Sequence, residues 1–258
     1  MHSISNNFDT TMQGFAPDLL EGRTLLVTGA GKGIGEACVH ALAACGANII
    51  AVARTAEDLN RLRSTHGSQV EPWALDVTSD ELIERISALE HLDGLVNNAG
   101  TNRVGEMASQ TSEDFDAVMD LNVRALWRVS RSARGPLERA GQSSIVNMSS
   151  QMAHVGSPQR TLYCMSKHAV EGLTKAMAVE LANKSIRVNT VAPTFVLTPL
   201  TEPMMANPEF SDFVYSMIPG RQLATVEQVA AAVVFLISHL SASTTGSCLK
   251  VDGGWTAH

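Results

Sequence analysis

The chain has 258 residues, of which 45% are hydrophobic and 17% are charged. This length and composition suit a single domain with a sizeable core and exclude a disordered chain. The 19 basic and 26 acidic residues leave a formal net charge of −7, which argues against a surface for nucleic acids or anionic membranes. No apolar run reaches the roughly 18 residues of a membrane span, so none is predicted.

The first 20 residues lack the basic and then apolar order of a signal peptide. They are predicted to form an N-terminal extension, followed by one domain over residues 21–258 of a cytoplasmic protein. The cysteines show no CxxC spacing and no histidine at the spacing of a metal ligand, so we expect free thiols and no metal site. The cysteines are Cys38, Cys45, Cys164 and Cys248.

From residue 23 onward, short apolar runs alternate with longer helical patterns. Strands are predicted at residues 24–28, 48–53, 70–75, 94–97, 143–148, 186–192 and 248–251. Helices are predicted near residues 33–44, 55–65, 78–90, 111–137, 163–183 and 225–239. Thr55 with Asp58, and Thr78 with Glu81, have the spacing of helix-start signals. Because most strands lack polar alternation, the sequence predicts an α/β fold with a doubly wound parallel sheet of about seven strands.

A glycine-rich turn joins the first predicted strand to the first helix. Residues 24–35 read TLLVTGAGKGIG, with glycines at Gly29, Gly33 and Gly35. Glycines at the carboxyl end of a strand let the backbone approach a pyrophosphate, and the following helix offers free N–H groups to it. This context predicts dinucleotide binding, and the alternative is an ordinary glycine-rich turn.

The end of the second strand indicates which dinucleotide binds. An acidic residue there would hold the ribose 2′-hydroxyl of NAD, but this chain has Ala53 and Arg54, with Lys32 inside the glycine turn. Two cations favour a 2′-phosphate, which arginine can bind with two hydrogen bonds. We therefore expect NADP(H) to be preferred, with NAD(H) as a second cofactor, unless both cations are merely solvated.

The segment of residues 194–220 interrupts the alternation of strands and helices. The segment is rich in proline and has no clear period after a strand end, which is typical of a mobile lid over a site.

Tyr163 and Lys167 are four residues apart at the start of a strong helical pattern, so both side chains share one helix face. A free tyrosine titrates near 10, and a nearby ammonium group would lower its pKa. Ser150, at the end of a buried strand, could hold a substrate oxygen. Asn122 is a polar residue in a largely apolar helix, with a core-satisfied amide as the alternative.

From about residue 20 to its end, the chain resembles the short-chain dehydrogenases/reductases, whose fold is the Rossmann fold. The motifs that carry the resemblance are TGAGKGIG at 28–35, Asp76-Val77, NNAG at 97–100, Asn122, Ser150, YCMSK at 163–167, Arg187-Val188-Asn189 and VDGG at 251–254. The family usually has glycine after Pro193, where this chain has Thr194.

The resemblance implies that Tyr163 is the general acid and base of an alcohol–ketone oxidoreductase. Lys167 would lower its pKa and bind the nicotinamide ribose, Ser150 would position the substrate oxygen, and Asn122 would anchor a proton-relaying water. The residues implied to contact the cofactor are Gly29, Lys32, Gly33, Ile34, Gly35, Arg54, Asp76, Val77, Asn98, Ala99, Gly100, Tyr163, Lys167, Pro193, Val196 and Thr198. Relatives are usually homotetramers, so we expect a homotetramer, with a dimer as the alternative.

Polar residues that follow the motifs point to the substrate. Asn102, Arg103, Gln151 and His154 would line a polar pocket, because a buried donor without a partner costs about 1–3 kcal/mol. The stretches SSQMAHVG and VDGGWTA also resemble relatives that act on sugars, sugar acids or polyols. We therefore expect the substrate to be a small-molecule alcohol or ketone of the sugar, sugar-acid or polyol type. A 3-oxoacyl-thioester (acyl carrier protein) reductase and a non-catalytic dinucleotide sensor are the alternatives.

Overall fold

The computed structural model describes residues 14–199 and 201–258 of the chain. The strands are Thr24–Thr28 (β1), Asn48–Ala53 (β2), Val70–Ala74 (β3), Gly94–Asn97 (β4), Ser143–Met148 (β5), Ile186–Pro193 (β6) and Cys248–Val251 (β7). The helices are Gly33–Ala44 (α1), Ala56–His66 (α2), Asp80–Ser87 (α3), Ser112–Met119 (α4), Leu126–Arg139 (α5), Thr161–Leu181 (α6), Glu202–Met205 (α7), Pro208–Ser216 (α8) and Val226–Ile237 (α9). No helix in this part of the chain is both long and apolar enough to cross a membrane.

The strands form one parallel sheet in the order β3-β2-β1-β4-β5-β6-β7. The chain builds outward from β1 to β3, returns to the far side of β1, and builds outward again to β7. The order therefore reverses between β1 and β4, and ligands bind in the crevice outside the carboxyl ends at such a switch point. The predicted doubly wound sheet is confirmed.

Both faces of the inner part of the sheet are buried, which explains why most of its strands lack polar alternation, whereas the edge strands β3 and β7 keep exposed residues. Successive side chains of β1 point to opposite faces, so that Leu25 and Val27 join one core cluster and Leu26 joins the other. Ile49 and Ile50 of β2 divide in the same way. Each core layer therefore draws on alternate residues of the same apolar strands.

Two helix starts differ from their predicted signals. Helix α3 begins after Ser79, whose hydroxyl accepts a hydrogen bond from the backbone N–H of Leu82 at 3.2 Å. Thr78 instead donates its hydroxyl to Asp76 Oδ1 at 2.7 Å, so it is not the cap. Helix α2 does begin after Thr55, but this side chain makes no capping hydrogen bond.

The helix predicted near residues 111–137 contains a local change of winding. Between α4 and α5, residues Asp120–Ala125 form a π-helical segment, and Asn122 lies inside it. A π segment inside an α-helix adds a residue to the turn and is frequently found at functional sites. The segment places the Asn122 amide in the protein interior, where it is 1% exposed.

The predicted lid contains two short helices, α7 and α8. Phe195 and Trp255 lie in a separate apolar cluster with Val214 and Ile218, and Val196 pairs with Ala224 in an isolated bridge. This cluster anchors the segment to the domain, while its mobility stays a prediction.

The expected boundary at residue 20 lies within packed structure. Leu20 is buried in the core, and its N–H donates to the carbonyl of Cys45 at 2.8 Å. Residues 1–13 of the predicted extension lie outside the described residues.

Candidate active site

The glycine turn has the geometry that a bound pyrophosphate requires. Gly29 and Gly33 have φ angles of 64° and 58°, a region that glycine enters without a steric penalty. A Cβ on Gly29 would lie 2.8 Å from Asn98 Nδ2, and one on Gly35 would lie 2.0 Å from the Gly29 carbonyl oxygen. The glycines therefore bring helix α1 against the end of β1 and leave its first turn accessible.

Strands β1 and β4 are joined at their carboxyl ends by reciprocal hydrogen bonds. The Thr28 hydroxyl accepts from the backbone N–H groups of Asn98 and Ala99, at 3.0 and 3.2 Å. The Asn98 amide donates to the carbonyls of Thr28 and Gly29, both at 3.1 Å. These bonds satisfy backbone groups that have left the sheet and fix both walls of the crevice.

One cavity of about 510 Å³ lies between the ends of β1, β2 and β3. Arg54 and Lys32 both border it, as expected of residues that would contact a 2′-phosphate. Asp58 borders it as well and pairs with Lys32 at 3.5 Å and with Arg61 at 3.1 Å. Sequence reasoning gave Asp58 only a helix-start role, whereas the structure shows that it offsets part of the positive charge.

Asp76 and Val77 lie on the opposite wall of this cavity, where an adenine was expected. Burial tends to raise the pKa of Asp76, but hydrogen bonds from Thr78 and the charge of Arg54 lower it on balance. Asp76 therefore stays ionised and orders the turn after β3 through Thr78.

A second cavity, of about 480 Å³, continues from the glycine turn to the catalytic candidates. Its polar end is formed by Ser150, Tyr163 and Lys167. The Ser150 hydroxyl donates to Gln151 Oε1 at 2.8 Å and is close enough to the Tyr163 hydroxyl to affect the pKa of that group. These three side chains were selected from the sequence, and the fold brings them together in one cavity.

Burial dominates the electrostatics of Tyr163 and Lys167. It raises the pKa of Tyr163, while the hydrogen bond with Ser150 and the charge of Arg160 oppose this increase. Burial also lowers the pKa of Lys167 to about 8, against the opposing charge of Glu171. Lys167 Nζ donates to the Met148 carbonyl at 2.7 Å and lies 5.6 Å from the centre of the Tyr163 ring. The expected lowering of the tyrosine pKa by Lys167 is therefore not seen in this geometry.

The Asn122 side chain is fixed by hydrogen bonds on both of its polar atoms. Oδ1 accepts from the backbone N–H of Thr101 at 2.8 Å, and Nδ2 donates to the Thr101 carbonyl at 2.9 Å and to Ser166 Oγ at 3.0 Å. A Cβ on Gly100 would lie 3.2 Å from Asn122 Oδ1 and 3.8 Å from Lys167 Nζ, so both groups border the same space.

A third, smaller cavity of about 260 Å³ opens beside Tyr163 and Ser150. Asn102 and Gln151 line it, as expected for substrate contacts. Arg160 also lines it, although the sequence analysis did not select this residue. Its position three residues before Tyr163 was the available signal, because that spacing places two side chains near each other at the start of a helix.

His154 and Arg103 have different surroundings from those expected. His154 Nε2 lies 3.2 Å from Cys248 Sγ and 3.7 Å from Glu171 Oε1, and Arg103 pairs with Asp114 at 3.6 Å. A 3₁₀ turn spans Gln151–Ala153, and His154 follows this turn. The ligand atoms of His154, Glu171 and Cys248 lie within 4.8 Å of one another, a juxtaposition that sequence spacing could not reveal. The expected absence of a metal therefore stays a prediction.

The remaining predicted cofactor contacts divide between the two larger cavities. The cavity beside β5 and β6 is bordered by Gly29, Lys32, Gly33, Ile34, Asn98, Ala99, Gly100, Pro193, Val196 and Thr198. Gly35 does not line this cavity, because its missing side chain serves the close packing of α1 on β1.

These residues fit a nicotinamide dinucleotide. The two larger cavities share the glycine turn and the Ala99-Gly100 segment, so together they form one elongated crevice. Among the residues that the structure describes, the buried hydroxyls of Ser149 and Thr194 have no hydrogen-bond partner and border its catalytic half. Unpaired buried polar atoms of this kind are expected where a polar ligand supplies the missing partner.

Comparisons with known proteins agree with this geometry. A family model described as Enoyl-(Acyl carrier protein) reductase matches residues 29–256. L-xylulose reductase from Homo sapiens is 42% identical over 241 residues, which cover 92% of this chain and 98% of that protein. The 3-oxoacyl-acyl-carrier-protein reductase of Thermotoga maritima is 37% identical over 91% of this chain and 98% of its own length. The structure of a gluconate 5-dehydrogenase from Burkholderia cenocepacia, in complex with NADP and tartrate, superposes with a TM-score of 0.88 at 29% identity, covering 94% and 98% of the two chains.

The Tyr163 hydroxyl is expected to be indispensable for proton transfer. Tyr163→Phe should lower kcat by a factor of about 10² to 10⁴ while the dissociation constant of the cofactor changes little, because only the hydroxyl is lost. The other tyrosine of the chain, Tyr215, provides the matched control, and Tyr215→Phe should retain activity. Steady-state kinetics and cofactor titration measure both effects. A Tyr163→Phe enzyme that keeps a tenth of the wild-type kcat would contradict the assignment.

The two directions of reaction should differ in pH dependence. Reduction requires the protonated Tyr163 hydroxyl and oxidation requires the deprotonated one. Because burial raises the pKa of Tyr163, reduction should persist through neutral pH, whereas oxidation should increase as the pH rises. Lys167, with a pKa of about 8, loses its charge in the same alkaline range. Rates measured in both directions on one alcohol–ketone pair should show a higher optimum for oxidation, and coincident optima would argue against one titrating tyrosine.

Proposed function

Because the chain belongs to the short-chain dehydrogenase/reductase family, we propose that it is an NADP-preferring enzyme that interconverts a secondary alcohol and a ketone on a sugar, sugar acid or polyol. The observation that carries this proposal is the position of Ser150 and Tyr163, which line both the dinucleotide-sized crevice and the small cavity, with Lys167 beside them in the crevice.

The side chains at this junction supply the proton chemistry of the reaction. In reduction, Ser150 holds the carbonyl oxygen by a hydrogen bond, and the Tyr163 hydroxyl donates a proton to it. In oxidation, Tyr163 accepts that proton. Bound NADP(H) supplies or accepts the hydride. The glycine turn, Thr198 and Val196 hold the cofactor along the crevice, and Lys167 binds its nicotinamide ribose.

Asn122 completes the path by which the proton leaves or reaches Tyr163. Its amide is held by Thr101 and Ser166 beside the space that Lys167 borders. We infer that it orders the groups around Lys167, so that a water there relays protons to the ammonium group.

Val104, Met152, Phe195 and Met204 make much of the small cavity's lining apolar, but the unpaired polar atoms in that lining support a hydroxylated substrate. Asn102 Oδ1 and Thr194 Oγ1 are buried there without a hydrogen-bond partner among the described residues. An apolar acyl chain would leave these oxygens unpaired, whereas substrate hydroxyls would donate to them. The relatives named L-xylulose reductase and gluconate 5-dehydrogenase act on such compounds by their names, which supports the same class here.

A 3-oxoacyl-thioester reductase is the second candidate. The 37% identical relative from Thermotoga maritima favours it. The description of the matching family model shares with it only an acyl-carrier-protein substrate, because an enoyl reductase acts on a carbon–carbon double bond. A dinucleotide sensor would not need the proton-transfer residues, all of which this chain retains, so we rank it last.

Helices α4, α5 and α6 carry apolar side chains that the single chain leaves exposed. Phe115, Trp127, Met165 and Val179 are 42%, 44%, 39% and 83% exposed. Apolar side chains that are contiguous on a surface are typical of a subunit interface, and we propose on this basis a homotetramer, with a dimer as the alternative. We also propose a cytoplasmic location, on which these side chains have no bearing.

A substrate panel tests the proposed class. With NADPH, kcat/KM should be highest for a ketose or a keto derivative of an aldonic acid, and lower for acetoacetyl-coenzyme A and for a hydrophobic ketone. The thioester control addresses the second candidate directly. Clearly higher kcat/KM for the thioester or the hydrophobic ketone would refute the substrate class, and cofactor binding without any turnover would favour the sensor.

Cofactor preference should depend mainly on Arg54. Lys32 is already paired with Asp58, whereas Arg54 is exposed at the rim of the adenosine cavity. Arg54→Ala should lower kcat/KM for NADPH by a factor of about 10 to 100, since a hydrogen bond to a charged group contributes roughly 1.5–3 kcal/mol. Values for NADH should change little, and Arg63→Ala should affect neither cofactor.

The double variant Ala53→Asp with Arg54→Ala should reverse the preference, because a carboxylate would then lie where the 2′-phosphate is expected. A wild-type enzyme that uses NADPH and NADH with equal efficiency would contradict the predicted preference.

A further inference from the structure

Arg160 is a buried cation at the start of helix α6. It immediately precedes the helix, is 4% exposed, and lines the small cavity together with Ser150 and Tyr163. Its charge is a minor influence that opposes the increase in the pKa of the Tyr163 hydroxyl. The guanidinium group is therefore close to the place where the substrate oxygen is expected.

The Arg160 guanidinium has few partners. Its Nη1 donates to the Gln159 carbonyl at 3.3 Å, its Nη2 lies 3.3 Å from Met204 Sδ, and the group lies 5.9 Å from the centre of the Phe210 ring. Among the described residues, no aspartate or glutamate contributes to its electrostatics. A guanidinium group offers five N–H donors and remains charged even where burial lowers its pKa, so this group lacks an anionic partner.

Arg187 shows how the same fold satisfies an arginine with a structural role. Its guanidinium donates to the carbonyls of Thr244, Leu236 and Ser238 at 3.2, 2.8 and 3.0 Å. These carbonyls close the end of helix α9 and the loop before β7, so Arg187 is largely satisfied by the protein itself. Arg160 has no comparable set, and its free donors border a cavity.

The backbone around Arg160 is held in place. Gln159 has a φ of 59°, a conformation that residues other than glycine rarely adopt. The Gln159 carbonyl accepts a hydrogen bond from the N–H of Gly105 at 3.1 Å, which ties this loop to the segment after NNAG. A strained conformation that persists at a ligand cavity is often part of a site.

We propose that Arg160 binds a carboxylate of the substrate, so that the preferred substrates are keto or hydroxy derivatives of sugar acids rather than neutral sugars. This inference rests on the proposed alcohol–ketone oxidoreductase function. A carboxylate matches the planar guanidinium with two parallel hydrogen bonds and supplies the charge that the cavity lacks. Tyr163 and Ser150 would then act on a keto- or hydroxyl-bearing carbon of the same small molecule.

The charge of the cavity favours a carboxylate over a phosphate ester. Arg160 is the one charged side chain among the described residues that line it. A single guanidinium neutralises one carboxylate, whereas a phosphate carries about 1.5–2 negative charges at neutral pH. The volume of about 260 Å³ also suits a small molecule.

Matched substrate pairs test the inference. 5-Keto-D-gluconate and L-sorbose differ only at one terminal carbon, C1 of the acid and C6 of the ketose, which is a carboxylate or a hydroxymethyl group. 2-Keto-D-gluconate and D-fructose form a second pair, which differs at C1. In at least one pair, the wild-type enzyme should have a kcat/KM about 100-fold higher for the keto acid. Arg160→Met should remove this preference by lowering the keto-acid value about 100-fold, because truncating one partner of a buried charge pair is costly.

Two further variants separate recognition from folding. Arg160→Met should lower kcat/KM for the neutral ketose far less than for the keto acid, so that the ratio of the two values falls to about 1. Arg160→Lys should retain part of the preference because it keeps the charge. Arg103→Met, at the neighbouring exposed arginine that pairs with Asp114, should leave the preference unchanged. An Arg160→Met enzyme that loses both substrates of a pair equally would overturn the inference and assign a structural role to Arg160.

The wild-type enzyme alone provides a test that does not depend on any variant. L-tartrate and L-threitol differ by carboxylates and hydroxymethyl groups, and tartrate should inhibit competitively with respect to the ketone at concentrations at least tenfold lower than threitol. Equal inhibition by both compounds would overturn the inference. A preference for D-fructose 6-phosphate over D-fructose, with none for 2-keto-D-gluconate, would replace the carboxylate with a phosphate.

The results also distinguish the inference from the function on which it rests. Efficient turnover of neutral ketoses with no preference for the keto acids would overturn the carboxylate site and leave the proposed function intact. Turnover of acetoacetyl-coenzyme A with no activity on any sugar or sugar acid would overturn both.

Discussion

The crevice depends on how two neighbouring parallel strands end. Where β1 and β4 leave the sheet, their backbone groups lose their ladder partners and must find others. Thr28 and Asn98 supply these partners to each other's strand in four hydrogen bonds of 3.0–3.2 Å. Because these bonds are made within the protein, the segments that follow β1 and β4 can diverge without leaving buried backbone groups unpaired. The crevice between the glycine turn and Ala99-Gly100 is therefore a consequence of how the two strands end.

The fold was largely predictable because most of its strands are buried on both faces, although the edge strands β3 and β7 are partly exposed. Such strands read as short continuous apolar runs, and the predicted β1, β2, β4, β5 and β7 agree with the observed bounds. Helix ends were less predictable, since several hydroxyls near each end could have been the cap. Thr78 was a reasonable candidate for α3, but Asp76 binds it and leaves the role to Ser79.

Some site residues could be predicted from local sequence patterns, whereas others depend on contacts between elements that are distant in the sequence. Tyr163, Lys167 and Ser150 could be found because short motifs and helix geometry specify them. His154 could not be placed, because the turn after Ser150 directs it toward Glu171 and Cys248, which belong to distant elements. Asp58 was read only as part of a helix start, yet its carboxylate reaches Lys32 across the glycine turn. Charges that meet across elements are visible only once the fold is known.

The electrostatics of Tyr163 connect the catalytic group to the small cavity. Burial raises the pKa of Tyr163, and the positive charge of Arg160 opposes that increase. An anion bound to Arg160 would cancel part of this opposing charge and favour the protonated hydroxyl, which is the form that reduces a ketone. A neutral substrate would leave the charge of Arg160 acting on Tyr163. The same guanidinium group that selects an acidic substrate would thus also adjust the proton donor that acts on it.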